Sequence, residues 1–303
     1  MRETYGVTLP GMNLTDLTGR LIVIEGTDGV GRTTQINLLK PWLEQQGRAV
    51  LETGMTRSSL AGKGIKQAKE GHTLGRITLS LFYTTDFADR LENEIVPALR
   101  AGFVVLTDRY IYSLMARALV RSLDPAWIRN TYSFALKPDV VFYLRIGVDD
   151  LIPRVVFSRG FDYWESGMDL HPSEDMYESF RKYQTDLLKQ FDVLAEEYKF
   201  EVIDASADVR AVFERLREGV SRVLTSEPLF SIPKTGPAEE GAPDAREMPP
   251  NPATAPEPPA KASEILPARE VAPPPLEIHA ESAREEKAVG EVLAKASEGD
   301  ART

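Results

Sequence analysis

The sequence predicts a doubly wound α/β fold, a parallel sheet with helices on both faces, followed by a disordered tail. Three observations carry that expectation. Short apolar runs alternate with stretches of helical period. The runs lack the polar alternation of a half-exposed strand, so they read as strands covered on both faces. Proline gathers at one end, with 14 of the 21 prolines in residues 228–303.

Residues 1–18 form an N-terminal extension without the basic-then-apolar order of a secretory signal. Leu21–Glu25 is a short β-rich run. Thr33 to Gln46 has helical period, with Ile36, Leu38, Leu39, Trp42 and Leu43 available for one face, and Gly47 ends it. Ala49–Glu52 reads as a second strand. Ile77 to Leu99 is a long helical region expected to break near Thr84–Thr85, with Pro97 close to its end. Phe103–Thr107 is a strand stopping at Asp108, and Val140–Arg145 is another, introduced by Pro138-Asp139. Tyr177 to Tyr198 is a long helix, and Phe200–Ile203 a last strand. One domain of residues 19–227 results. The tail, 228–303, carries 14 acidic and 8 basic residues among its prolines and alanines. It holds too little apolar surface to offset ordering entropy, apart from a weak helical pattern over 282–296. It reads as a solubilising tail or as a tether whose partner is unknown.

Composition narrows the function. None of the 303 residues is cysteine, which excludes disulfides and thiolate metal sites and suits a cytoplasmic protein. His72, His171 and His279 lie too far apart in the chain to suggest a metal site. No apolar run approaches the ~20 residues that span a bilayer, so no membrane role is expected. The net charge of -10 gives no general preference for nucleic acid; an anion site must be a local cluster of arginine and backbone N–H groups.

Such a cluster is written at the first strand–helix junction, Gly26-Thr27-Asp28-Gly29-Val30-Gly31-Arg32-Thr33. It follows G-x-x-x-x-G-K-[ST] with Arg32 in the lysine position. Glycines let successive N–H groups turn toward one anion, and the helix that follows aims its positive end at the same place. Residues 26–33, with Thr34, are the expected ATP-phosphate contacts. Thr33 is placed to meet Mg²⁺. Arg32 keeps the charge but spreads it over a longer planar fork.

Beyond this loop the chain resembles the thymidylate kinase family. Ile22-Val23-Ile24-Glu25-Gly26-Thr27-Asp28-Gly29 is similar to the family's opening, and Asp108-Arg109-Tyr110 with Ser113 is similar to its D-R-Y-x-x-S motif. Val96-Pro97-Ala98-Leu99 with Ala101-Gly102, the lid-like Arg154 and Arg159-Gly160, and Phe180, Tyr183 and Val202-Ile203-Asp204-Ala205 extend the resemblance over about Gly19 to Leu224. It implies ATP-dependent phosphoryl transfer to a nucleoside monophosphate, most simply dTMP giving dTDP, and a possible homodimer. Arg32 would hold donor phosphates, and Asp108 would hold Mg²⁺ and its waters. Arg109 would clamp the acceptor phosphate, Arg154 and Arg159 would close from a lid, and Asp28 would lie between the substrates. Blander readings stay open: a surface ion pair for Asp108-Arg109, a solvated helix face for Arg154 and Arg159, and loop stabilisation for Asp28.

The pattern departs from the family around the acceptor. Phe82 or Tyr83 can stack on a base, but Phe87 stands where the family has arginine, and Arg90 follows one turn later. Phe82, Phe87 and Leu91 read equally as core. Thr53-Gly54-Met55-Thr56-Arg57-Ser58-Ser59 replaces the E-P-G-G-T loop, and Ala116-Arg117-Ala118 replaces A-Y-Q. Arg57 and Arg117 thereby join Asp28, Phe82, Tyr83, Arg90 and Arg109 as expected substrate contacts. Asp162 to Leu170 reads either as a lid with aromatic and acidic side chains or as an ordinary loop. A kinase of another small acceptor such as a nucleoside, or a nucleotide-binding interaction module with little turnover, are the alternative functions.

Overall fold

The computed structural model describes residues 2–70 and 74–225, all within one compact unit. The tail and its 282–296 pattern lie outside the described residues. Five strands, β1 (Arg20–Glu25), β2 (Val50–Gly54), β3 (Val104–Asp108), β4 (Val140–Arg145) and β5 (Glu201–Asp204), form an all-parallel sheet in the order β2-β3-β1-β4-β5. The strands fall within a residue or two of the apolar runs.

Both faces of the sheet are covered, which is why the runs are continuous. Leu21, Val23 and Val105 point into one core, and Ile22, Ile24, Val104 and Leu106 into the other. The second core takes Ile36, Leu39 and Leu43 from α1 (Arg32–Gln45), Leu151 and Val155 from α7 (Val148–Ser158), and Val212 and Leu216 from α9 (Val209–Thr225). The first core takes α2 (Gly62–Glu70), α3 (Arg76–Arg90), α4 (Val96–Arg100), α5 (Ile111–Val120), α6 (Pro125–Thr131) and most of α8 (Met176–Tyr198).

The long helical region breaks later than its sequence suggests. Thr84 and Thr85 donate their hydroxyls to Ser80 O (2.9 Å) and Leu81 O (3.0 Å), so the helix absorbs them. The interruption is a π-helical segment, Leu91–Ile95, between α3 and α4. Pro97 follows it, and a proline ring clashes with the carbonyl four residues back, Asn93, which lies inside the widened turn.

The first residues are tied to the body. Arg2 bonds Gly19 O and Asp139 Oδ2, both at 2.6 Å, and Thr4 bridges Leu136. Tyr5 packs edge-on against Tyr112 and Tyr198.

Candidate active site

The carboxyl ends of β1 and β3 lie side by side, with Ile24 opposite Asp108 in register. The chain leaves these neighbours in opposite directions along the sheet, and such a switch point opens a crevice. The Gly26–Thr33 loop runs from β1 into α1 there. Gly31 caps α1 at φ +104, and no side chain caps the helix. The first-turn N–H groups therefore face the crevice without a side-chain acceptor. Gly29, at φ +85, sits so close under α7 that a Cβ would come 2.5 Å from Val155, which fixes the loop against that helix.

Asp108 and Arg109 meet the loop from β3. Asp108 Oδ1 accepts from Arg32 Nε at 2.7 Å, while Oδ2 lies 3.3 Å from the Thr33 hydroxyl. That oxygen pair suits a cation that keeps most of its shell as water and phosphate, as Mg²⁺ does. Among the described residues no cluster of three His, Asp or Glu forms a fuller metal cage.

Arg109 adopts φ +69, unusual outside glycine. Its N–H donates to Ile24 O at 3.0 Å, and its carbonyl accepts from the Thr107 hydroxyl at 2.7 Å. This turn sends the guanidinium back over the loop to Asp28. Asp28 is fully buried and is paired with both Arg109 and Arg117, with Arg32 Nη2 a further 3.7 Å from Oδ1. Arg109 Nε is buried without a hydrogen-bond partner. Burial, and then the like charge of Arg117, lowers the Arg109 pKa to about 9. The site is thus cationic beyond what its one central acid neutralises.

Glu25 organises these parts from below. It is fully buried and accepts from Tyr110 N (2.8 Å), Ser113 N (3.2 Å) and the Ser113 hydroxyl. Burial raises its pKa, and those donors oppose the rise. It joins β1 to the first turn of α5, and an acid at the end of an apolar strand was the signal available for it.

An open cleft of about 470 Å³ holds Asp28, Arg32, Thr33, Asp108, Arg109 and Arg159 along its walls. Arg159 follows α7 and pairs with Glu165. A second, narrow cavity of about 20 Å³ between α3 and α5 is lined by Ser80, Tyr83, Arg117, Arg121 and Trp164. Arg117 borders this cavity and also reaches Asp28.

The other expected residues are spread out. Arg154 donates to Ser206 O at 3.3 Å, beside the β5–α9 junction, and is not on the cleft wall. Arg57 is exposed and bonds Glu52 at 2.9 Å. Tyr83 faces the narrow cavity, whereas Phe82 lies near Gly64 of α2. Phe87 and Leu91 are fully buried core, and Phe87 packs on Tyr110, Tyr132 and Phe134. Arg90 is buried too, paired with Asp86 at 3.1 Å. Asp86 also accepts from Thr56 N and Ser58 N, both at 3.0 Å, and so shapes the loop after β2. In the 162–170 segment Trp164 is buried and donates Nε1 to Lys69 O at 2.9 Å. Asp169 holds Arg121 with two bonds of 2.8 and 2.9 Å. Arg121 had no local signal, because its partner lies 48 residues away.

Comparison with known proteins agrees with this geometry. Residues 24–216 match the family model described as thymidylate kinase. The chain is 39% identical over 196 residues to probable thymidylate kinase 2 of Saccharolobus solfataricus, covering 64% of this chain and 92% of the relative. It is 31% identical over 215 residues to probable thymidylate kinase of Thermococcus kodakarensis, covering 68% and 99%. It is 33% identical over 218 residues to thymidylate kinase of Bifidobacterium longum subsp. infantis, covering 69% and 88%.

Proposed function

This chain belongs to the thymidylate kinase family, and we propose from that premise that it moves the γ-phosphoryl group of ATP onto the 5′-phosphate of dTMP, giving ADP and dTDP. It is a nucleoside monophosphate kinase, a phosphotransferase. The observation that carries the site assignment is the pair Arg109 and Arg117, converging on Asp28 beside an uncapped helix N-terminus. Two bound phosphates need two anion sites in line, and these are adjacent.

The loop N–H groups and the start of α1 hold the donor phosphates. Arg109 and Arg117 hold the acceptor phosphate, with Arg109 Nε as a donor ready for it. One acceptor-phosphate oxygen attacks the γ-phosphorus, and the bond to the ADP oxygen breaks on the opposite side. Arg159 at the cleft wall neutralises charge as it spreads over the moving group. Thr33 and Asp108 would hold Mg²⁺, which would supply charge neutralisation to the donor phosphates. Tyr83 lines the cavity that Arg117 borders, and this cavity, with room for about one water, has to widen before the Tyr83 ring can stack on the acceptor base. Arg154, bonded to Ser206 O at the β5–α9 junction and off the cleft wall, is given no part in the transfer.

No described helix is long and apolar enough to cross a membrane, and the chain has no cysteine, which supports a cytoplasmic enzyme. The family resemblance supports assembly as a homodimer, and the acidic, proline-rich composition of residues 228–303 suits a tether.

Phosphotransfer assays with ATP and dTMP, dUMP, UMP, CMP, AMP and GMP test the reading. The expected result is dTMP as the best acceptor. Preference for a purine monophosphate, or turnover of thymidine itself, would overturn it.

A further inference from the structure

Arg32 occupies the lysine position of the phosphate loop, yet its side chain turns inward. It is only 6% exposed. Nε donates to Asp108 Oδ1 at 2.7 Å, Nη1 donates to the carbonyls of both Gly26 and Thr27, and Nη2 lies 3.7 Å from Asp28 Oδ1. Three of the five N–H groups of a guanidinium are committed to protein oxygens, and the remaining nitrogen faces an acid. Only the two N–H groups of Nη2 are left for a polyphosphate, and Asp28 competes for them; the other three would have to break protein bonds.

These contacts join three separate pieces of chain: the end of β1, the loop, and the end of β3. With Oδ1 of Asp108 anchored by Arg32, Oδ2 is turned to the Thr33 hydroxyl at 3.3 Å. A lysine has a single nitrogen, and it cannot donate along two edges at once as a planar fork does. Arginine in this position therefore has a use that lysine lacks.

We propose that Arg32 is a positioning residue, a brace that fixes the loop carbonyls and the Asp108 carboxylate, and not a cation that faces the donor phosphates. The brace stands on the contacts alone; its effect on turnover rests on the dTMP kinase reading. The phosphates are left to the backbone N–H groups, Arg109 and Arg159.

The test uses Arg32→Ala and Arg32→Lys in the full chain, with melting measured without nucleotide, ATP affinity by calorimetry with Mg²⁺, and steady-state kinetics. The brace predicts that both variants melt lower than wild type, by about 5 °C or more for Arg32→Ala, since several buried charge-assisted bonds are lost. It predicts that ATP affinity of Arg32→Lys stays within about 3-fold. It also predicts that kcat of Arg32→Ala falls about 10-fold or more while KM for ATP moves by less than about 3-fold, because a displaced Asp108 misaligns the reaction rather than weakening binding. Melting unchanged in both variants, with ATP bound about 100-fold more weakly by Arg32→Ala and restored by Arg32→Lys, would identify a phosphate ligand and overturn the proposal. Lower melting with kcat and KM untouched would also overturn it, by reducing Arg32 to a structural bond. If Arg32→Ala does not fold, the melting and ATP affinity of Arg32→Lys decide alone. Absence of dTMP turnover by the wild type would count against the kinase reading and leave the melting and ATP-binding arms standing.

Discussion

Asp28 gathers the charges of the site, and its neighbours explain how a cationic pocket persists without substrate. Arg109 holds a left-handed backbone, a conformation that costs on the order of 1–3 kcal/mol and persists only where its surroundings enforce it. Its pKa is lowered to about 9 by burial and by Arg117. A lowered folded pKa on a base means the unfolded chain binds more protons between about 9 and the ordinary arginine value. Stability from this group therefore rises with pH across that window, and below about 9 the charge is a constant cost. An anion arriving beside Arg109 removes part of that cost. Saturating dTMP, at 100 times its Kd, is expected to stabilise the protein by about 2.7 kcal/mol, read as a rise in Tm. In Arg109→Ala that rise is expected to vanish and kcat/KM for dTMP to fall about 100-fold. The Tm without ligand should not fall, because the substitution removes that cost while Asp28 keeps Arg117. A mutant with wild-type kcat/KM would remove Arg109 from the site. The sequence exposed Asp28, Thr33, Asp108 and Arg109, since each belongs to a local pattern of residues. It did not expose the engagement of Arg32 with Asp108, 76 residues away, or of Arg121 with Asp169. Such pairings depend on how the strands and helices are stacked, which no short window of sequence records.

The helix α3 carries the clearest conflict between local pattern and packing. Phe87, in the position to which the family resemblance assigns arginine, is fully buried against Tyr110, Tyr132 and Phe134. Arg90, one turn on, spends its Nε on Asp86 and its plane lies 5.8 Å from the Phe87 ring. That pair supports the loop after β2 through Asp86 and does not line the narrow cavity. Restoring the family's residue by Phe87→Arg would bury an unpaired charge in an aromatic cluster. It should cost more than about 4 kcal/mol, seen as a large loss of Tm in thermal melts. A variant as stable as wild type would mean that position 87 reaches solvent or a ligand. Strands were the easiest elements to read, because burial on both faces leaves continuous apolar runs. The π-helical segment was not, since it follows from Pro97 and from the packing of α4 under β3, while the threonines that suggested a break bond back into their own helix.

At the scale of the molecule, five parallel strands place every proposed phosphate contact at one end of the sheet, and two cores of opposite faces hold that edge rigid. Catalysis by positioning needs such a frame, because misplacement of about 1 Å can cost about 100-fold. The family match ends at residue 216 and the described chain at residue 225, before the proline-rich stretch begins. Removing the chain from Pro233 onward should therefore leave kcat and Tm nearly unchanged, and a large fall in Tm would show that the tail packs on the body. The account as a whole rests on one transfer between two adjacent anion sites. Phosphorus NMR of the full-length protein with ATP, Mg²⁺ and dTMP follows it directly: dTDP and ADP should grow together in equal amounts as ATP and dTMP decline. ATP left intact, or split to ADP and inorganic phosphate without any dTDP, would contradict it.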